Sequence, residues 1–84
     1  MLTPMPTKPQ HDREYQRVTA LLRELREEKN LTQRELATRV KRPHSWVYKS
    51  ETGIRRLDIA EFILWCRGCG VEPATIFKKL LTDS

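Results

Sequence analysis

The chain has 84 residues, room for one domain built on one modest core. Its 16 Lys and Arg against 11 Asp and Glu leave a formal net charge of +5, which favours polyanionic partners: nucleic acid first, an anionic membrane surface second. The longest apolar run, Phe62 to Cys66, falls far short of the ~20 residues of a spanning helix, and no secretory leader is visible, so a cytoplasmic protein with reduced cysteines is expected.

Residues 1–10 carry Pro4, Pro6 and Pro9, which oppose helix, and are read as a flexible arm ahead of a domain at 11–84. Lys8 is the residue through which such an arm would touch DNA. A long helix is predicted from about Asp12 to Lys29. Tyr15, Val18, Leu22 and Leu25 recur at spacings of three and four, and Leu21 widens that stripe. Asn30 suits a left-handed stop, with Leu31 folding back as an apolar plug.

Thr32 and Glu35 have the spacing of a capping box and open a second, short helix that ends near Val40 or Lys41. Its buried face is Leu36, Ala37 and Val40. Pro43 suits the first turn of a third helix, predicted over 43–51 and stopped by Gly53. Val47 is the clearest buried residue there, with Trp46 and Ser50 flanking it. A basic loop follows from Ile54 to Leu57. Asp58 caps a fourth helix with Ile59, Phe62, Cys66 and Cys69 on one face, and Gly70 stops it. A last helix is predicted over 74–81, with Ile76, Phe77 and Leu80 apolar. No alternating strand pattern and no internal repeat stand out, so the fold class is all-α.

Two short helices joined by a tight turn make a helix-turn-helix, with the first crossing the DNA backbone and the second lying in the major groove. Ala37 is small where the second helix must pack closely, and Val47 is its natural partner. With Val47 turned inward, His44, Ser45, Tyr48 and Lys49 project outward together. Lys49 can donate to guanine O6 and N7, whereas His44 and Ser45 can donate or accept. From Lys41 to Arg56 there are five Lys or Arg, including Arg42, Arg55 and Arg56, and one acid, Glu51. Such local charge predicts salt-sensitive phosphate binding. Tyr48 and Lys49 would also suit an ordinary solvated face. Trp46 suits core or dimer packing better than DNA contact.

The runs LTQRELATRV, PHSWVYKSETG and RRLDIAEFILWCRGCGV, at 31–40, 43–53 and 55–71, resemble the XRE or lambda-repressor-like transcriptional regulators. The likeness covers about residues 15 to 81. It implies a five-helix, lambda-repressor-like domain that binds double-stranded DNA, usually as a symmetric dimer on a palindromic operator. Carried over residue by residue, it implies that Gln33, after the capping Thr32, holds a phosphate. His44, Ser45 and Lys49 would occupy base-reading positions. The Gly53 amide, Arg55 and Arg56 would lie near the DNA backbone, and Arg26 would pair with Glu51 inside the domain. The chain departs from the pattern at Lys41, where Gly is usual and the turn is expected to be strained. It departs also at His44, where Gln is common, and at Tyr48, where a small polar residue is common. These departures bear on the target sequence more than on the fold.

Cys66-Arg67-Gly68-Cys69 has the CxxC spacing of a redox pair or half a zinc site. A structural zinc needs a complete tetrahedral ligand set, and His11 and His44 lie on other elements. A reactive thiolate is favoured at a helix N-terminus, whereas these residues sit near a helix end. The expectation is that both pack as small apolar residues, with no metal, cofactor or catalytic constellation. The acids of the first helix mix with its bases, unlike a cationic membrane-surface helix.

The function expected is therefore a phage-like transcriptional regulator, a repressor, binding operator DNA as a homodimer. The alternative is an antitoxin-type module that binds a protein partner and autoregulates its operon. Ile54, Ile63, Trp65 and Leu81 exceed what one small core covers, which points to a dimer through the fourth and fifth helices.

Overall fold

A computed structural model describes residues 13–82; the proline-bearing arm at 1–10, with Lys8, and the helix start expected at Asp12 lie outside the described residues. Among the described residues there are five α-helices and no strand: α1 (Arg13–Glu28), α2 (Gln33–Val40), α3 (His44–Thr52), α4 (Ile59–Gly68) and α5 (Pro73–Thr82). The all-α architecture expected from periodicity is the one observed.

α1 buries Leu21, Leu22 and Leu25, with Val18 and Tyr15 half-buried along the same stripe. Its solvated face carries an i,i+4 pair, Arg23 to Glu27 at 3.1 Å. The helix closes through Asn30 at φ 58°. The Asn30 amide donates to the Glu27 carbonyl at 2.9 Å and the Leu31 amide to the Arg26 carbonyl at 3.2 Å, which turns Leu31 into the core as a plug.

α2 opens with the predicted capping box. The Glu35 amide donates to Thr32 Oγ1 at 3.0 Å, and the Thr32 amide to Glu35 Oε1 at 2.8 Å. It closes at Lys41, held left-handed at φ 58°. A side chain in that region costs roughly 1–2 kcal/mol, so the expected strain at the turn is present. Two bonds hold it: the Lys41 amide to the Thr38 carbonyl at 3.2 Å and the Arg42 amide to the Ala37 carbonyl at 3.0 Å. α3 then starts one residue later than expected. Pro43 has ψ 154° and stands outside the helix as its cap, its carbonyl accepting from the Trp46 amide at 3.0 Å. Gly53 ends α3 at φ 81°, a conformation glycine adopts without a Cβ clash.

Asp58 caps α4 through a second capping box with Glu61. Two side chains on this helix differ from expectation. Ile59, expected on the buried face, is 67% exposed, because it is the first residue after the cap and extends past the packed turns. Trp65, expected at a dimer surface, is fully buried. Its Nε1–H donates to the Leu22 carbonyl at 3.1 Å and its ring lies 5.7 Å from that of Trp46, so the two indoles pack together within the core. Cys66 and Cys69 are free thiols packed in that core, as expected.

α4 crosses α2 at Gly68. A Cβ there would stand 2.6 Å from Val40 Cγ1 and 2.9 Å from Leu36 Cδ1, so glycine is what allows the two helices to approach. The chain then turns at Gly70 (φ 75°) into α5, which buries Ile76 and leaves Phe77 half exposed. Arg17 on α1 donates to the Leu80 carbonyl at 2.8 Å and ties the last helix to the first.

Candidate nucleic-acid interface

α3 is anchored on its inner side. Val47 and Ser50 are fully buried, Trp46 nearly so, and the Ser50 hydroxyl is satisfied by the Trp46 carbonyl at 2.7 Å. Turning these three inward leaves His44, Ser45, Tyr48 and Lys49 exposed on one face, the four residues whose spacing predicted it. Thr52 extends this face by one turn and was not singled out by the sequence. Its hydroxyl is turned back onto the Tyr48 carbonyl at 2.9 Å. The i, i+4, i+8 spacing of His44, Tyr48 and Thr52 was the available signal.

Behind the face runs a chain of polar contacts. Arg26 on α1 and Glu51 on α3 form a bidentate pair through Nε and Nη2, the Nη2–Oε1 contact measuring 3.1 Å. Arg26 Nη1 also donates to the Leu31 carbonyl at 2.7 Å. The hydrogen bond that Arg26 donates to Glu51, opposed by burial, holds the guanidinium above its ordinary pKa. Glu51 Oε1 accepts in addition from Gln33 Nε2 at 3.0 Å, and Gln33 Oε1 lies 3.2 Å from His44 Nε2. The structure thus links a buried ion pair to the first exposed residue of α3. The pairing of Arg26 with Glu51 was expected; the extension through Gln33 was not, since nothing in the spacing fixes a side-chain amide between two helices.

The basic residues around the face are individually held. Arg42 and Arg55 each place a guanidinium 5.5 Å from the Trp46 ring centroid, stacking against the indole. Arg55 also grips Glu61 through two bonds of 3.1 and 2.9 Å. That pairing raises the pKa of Arg55 and lowers that of Glu61. Arg56 lies over the Tyr15 ring at 4.1 Å, and the Tyr15 hydroxyl accepts from the Leu57 amide at 2.9 Å. The Thr32 side chain is engaged in its cap, and the Gly53 amide reaches the Ser50 carbonyl at 3.4 Å. Of the residues predicted to contact DNA, then, His44, Ser45, Tyr48 and Lys49 form one exposed surface, with Gln33 bonded to its first member. Arg42, Arg55 and Arg56 are held in stacked or paired arrangements on Trp46, Glu61 and Tyr15.

Among the described residues no group of three or more His, Cys, Asp or Glu could hold a metal ion, and no helix is long and apolar enough to cross a membrane. Cys66 and Cys69 are core side chains, and their burial pushes both thiols up to about 11.

A family model for the helix-turn-helix domain matches residues 17–76. Among solved structures, an XRE-family like protein from Pseudomonas syringae pv. tomato is similar, with a TM-score of 0.83 at 43% sequence identity, covering 88% of this chain and 90% of that chain. A comparison with curated proteins returns no match. The inward-anchored α3, the capped α2 packed behind it and these two likenesses agree: the chain belongs to the XRE-like helix-turn-helix family of DNA-binding transcription regulators.

Proposed function

We propose that the protein is a repressor that binds a palindromic operator in double-stranded DNA as a homodimer, with α3 in the major groove. The observation that carries this reading is the outward face of α3. Four side chains able to meet base edges, His44, Ser45, Tyr48 and Lys49, are exposed together, while Trp46, Val47 and Ser50 fix the helix from behind. Lys49 donates to guanine, and Ser45 and Tyr48 add hydroxyls. Gln33 stands at the start of α2, where unpaired amides suit a phosphate. Its side-chain nitrogen has two hydrogens; one goes to Glu51, and the second serves the phosphate. Thr32, Arg42, Gly53, Arg55 and Arg56 line the flanks of the groove. Arg55 contributes less net charge than its sequence position suggests, because Glu61 already matches it.

The dimer is assigned to α4 and α5, and the exposed side chains shift its composition. Ile54 and Leu81 are 65% and 67% exposed, and Ile59 and Phe77 join them, while buried Trp65 drops out. Selection of duplexes from a random pool tests both parts at once. The expected product is one motif with two inverted half-sites about one helical turn apart. Ile59→Asp should leave the half-site intact and remove the requirement for two copies. A motif with a single unrepeated site would contradict the dimer, and no enrichment at all would contradict sequence-specific binding.

A further inference from the structure

The polar chain at the start of α3 fixes chemistry as well as position. The Glu51 carboxylate, paired with Arg26, only accepts hydrogen bonds, so the Gln33 atom 3.0 Å from it is the amide nitrogen. Gln33 therefore turns its carbonyl oxygen to His44, 3.2 Å from Nε2. A carbonyl oxygen also only accepts. The His44 nitrogen that faces it carries the hydrogen, which leaves Nδ1 of the neutral ring with a lone pair and no hydrogen. The ring is exposed, with Nε2 already engaged, so Nδ1 is the nitrogen left for a base edge.

We propose that Gln33, oriented by Glu51, sets the polarity with which His44 reads its base, making it an acceptor for the amino group of adenine or cytosine and excluding the keto bases guanine and thymine. The assignment rests on the reading of α3 as the base-contacting helix. Adenine N6 and cytosine N4 are the donors that the major groove presents, whereas guanine O6 and N7 and thymine O4 accept. Gln33 is here a positioning residue acting through His44. Without it the ring is released about its side-chain torsions and can turn its Nε2–H towards the groove, where guanine or thymine satisfies it.

The test is selection from a random duplex pool at about pH 8, with the full chain and two variants. His44→Ala identifies the position that His44 reads. The wild-type chain is expected to enrich adenine or cytosine there by about tenfold or more over guanine and thymine, the size of an ordinary base-contact preference. Gln33→Leu is expected to reduce that ratio to within about twofold while leaving the preference at the Lys49 position unchanged. Uniform loss of affinity from Gln33→Leu does not enter the ratio. Guanine or thymine in the wild-type motif, an unchanged ratio in Gln33→Leu, or no position altered by His44→Ala would each overturn the assignment. A pool that yields no motif with any chain overturns the base-reading role of α3 itself. Should Gln33→Leu fail to fold, a long-range 1H–15N spectrum of the wild-type chain decides instead: hydrogen on Nε2 of His44 supports the assignment, and hydrogen on Nδ1 ends it.

Discussion

Arg26 and Glu51 lie inside the domain, their side chains 10% and 4% exposed, yet they support the exposed face of α3. Removing one partner of a buried pair leaves the other charge desolvated and alone, which costs about 3–5 kcal/mol. Arg26→Ala also strips the Leu31 carbonyl of its donor. The variant is therefore expected to lose about that much stability in denaturant titrations, and an unchanged midpoint would remove the pair from the account. The cysteines give a second prediction at this scale. Their folded thiols ionise near 11, above the ordinary value of 9.0. A thiol that ionises more readily unfolded contributes its full stability below that ordinary value and loses it as pH rises from there through the folded value. Stability should fall between about pH 9 and 11, and a Cys66→Ala, Cys69→Ala chain should show a shallower decline. Identical slopes in the two chains would mean that the thiols are not desolvated. The pairing of Arg26 and the burial of both cysteines were legible in the sequence, the first through family resemblance and the second through helical spacing. The contact of Gln33 with His44 was not, because it depends on how far α2 and α3 approach, which no residue pattern records.

The helices were legible where a local chemical signal marks their ends. Thr32 with Glu35, Asp58, Asn30 and Gly53 stop or start elements within a residue of the expected place, because each satisfies or frees a definite backbone group. Pro43 misled by one position, since proline fits both outside and inside the first turn and the choice rests on its ψ. The facing of α4 was harder. Ile59 and Trp65 lie on a helix that is apolar on most sides, where periodicity no longer tells the buried stripe from an exposed one. Gly68 was silent in the sequence for a related reason: it reads as part of a CxxC, and its role appears only when α2 is beside it. Gly68→Ala should destabilise by about 1–3 kcal/mol despite alanine's better helix propensity, because Val40 and Leu36 must be displaced. A thermal melt at or above that of the parent chain would show that α2 and α4 separate without cost.

For the whole molecule, the exposed reading face lies on α3 and the exposed apolar side chains Ile59, Phe77 and Leu81 lie on α4 and α5, while the Lys and Arg behind the charge of +5 occur on every helix. In the proposed reading the first meets a polyanion with readable edges and the second a copy of the chain. On that reading the binding of DNA is steeply salt-dependent, while its sequence preference rests on a few side chains of α3. Lys49 is the residue through which these two properties can be separated, being both cationic and exposed on the reading face. The most direct measurement is the affinity of the parent chain and Lys49→Ala for a selected duplex and for a scrambled duplex, at one salt concentration. The account predicts a loss of about 1–3 kcal/mol on the selected duplex and a much smaller loss on the scrambled one. Equal losses on both duplexes would contradict it, because Lys49 would then touch only phosphate and α3 would not be reading bases through it.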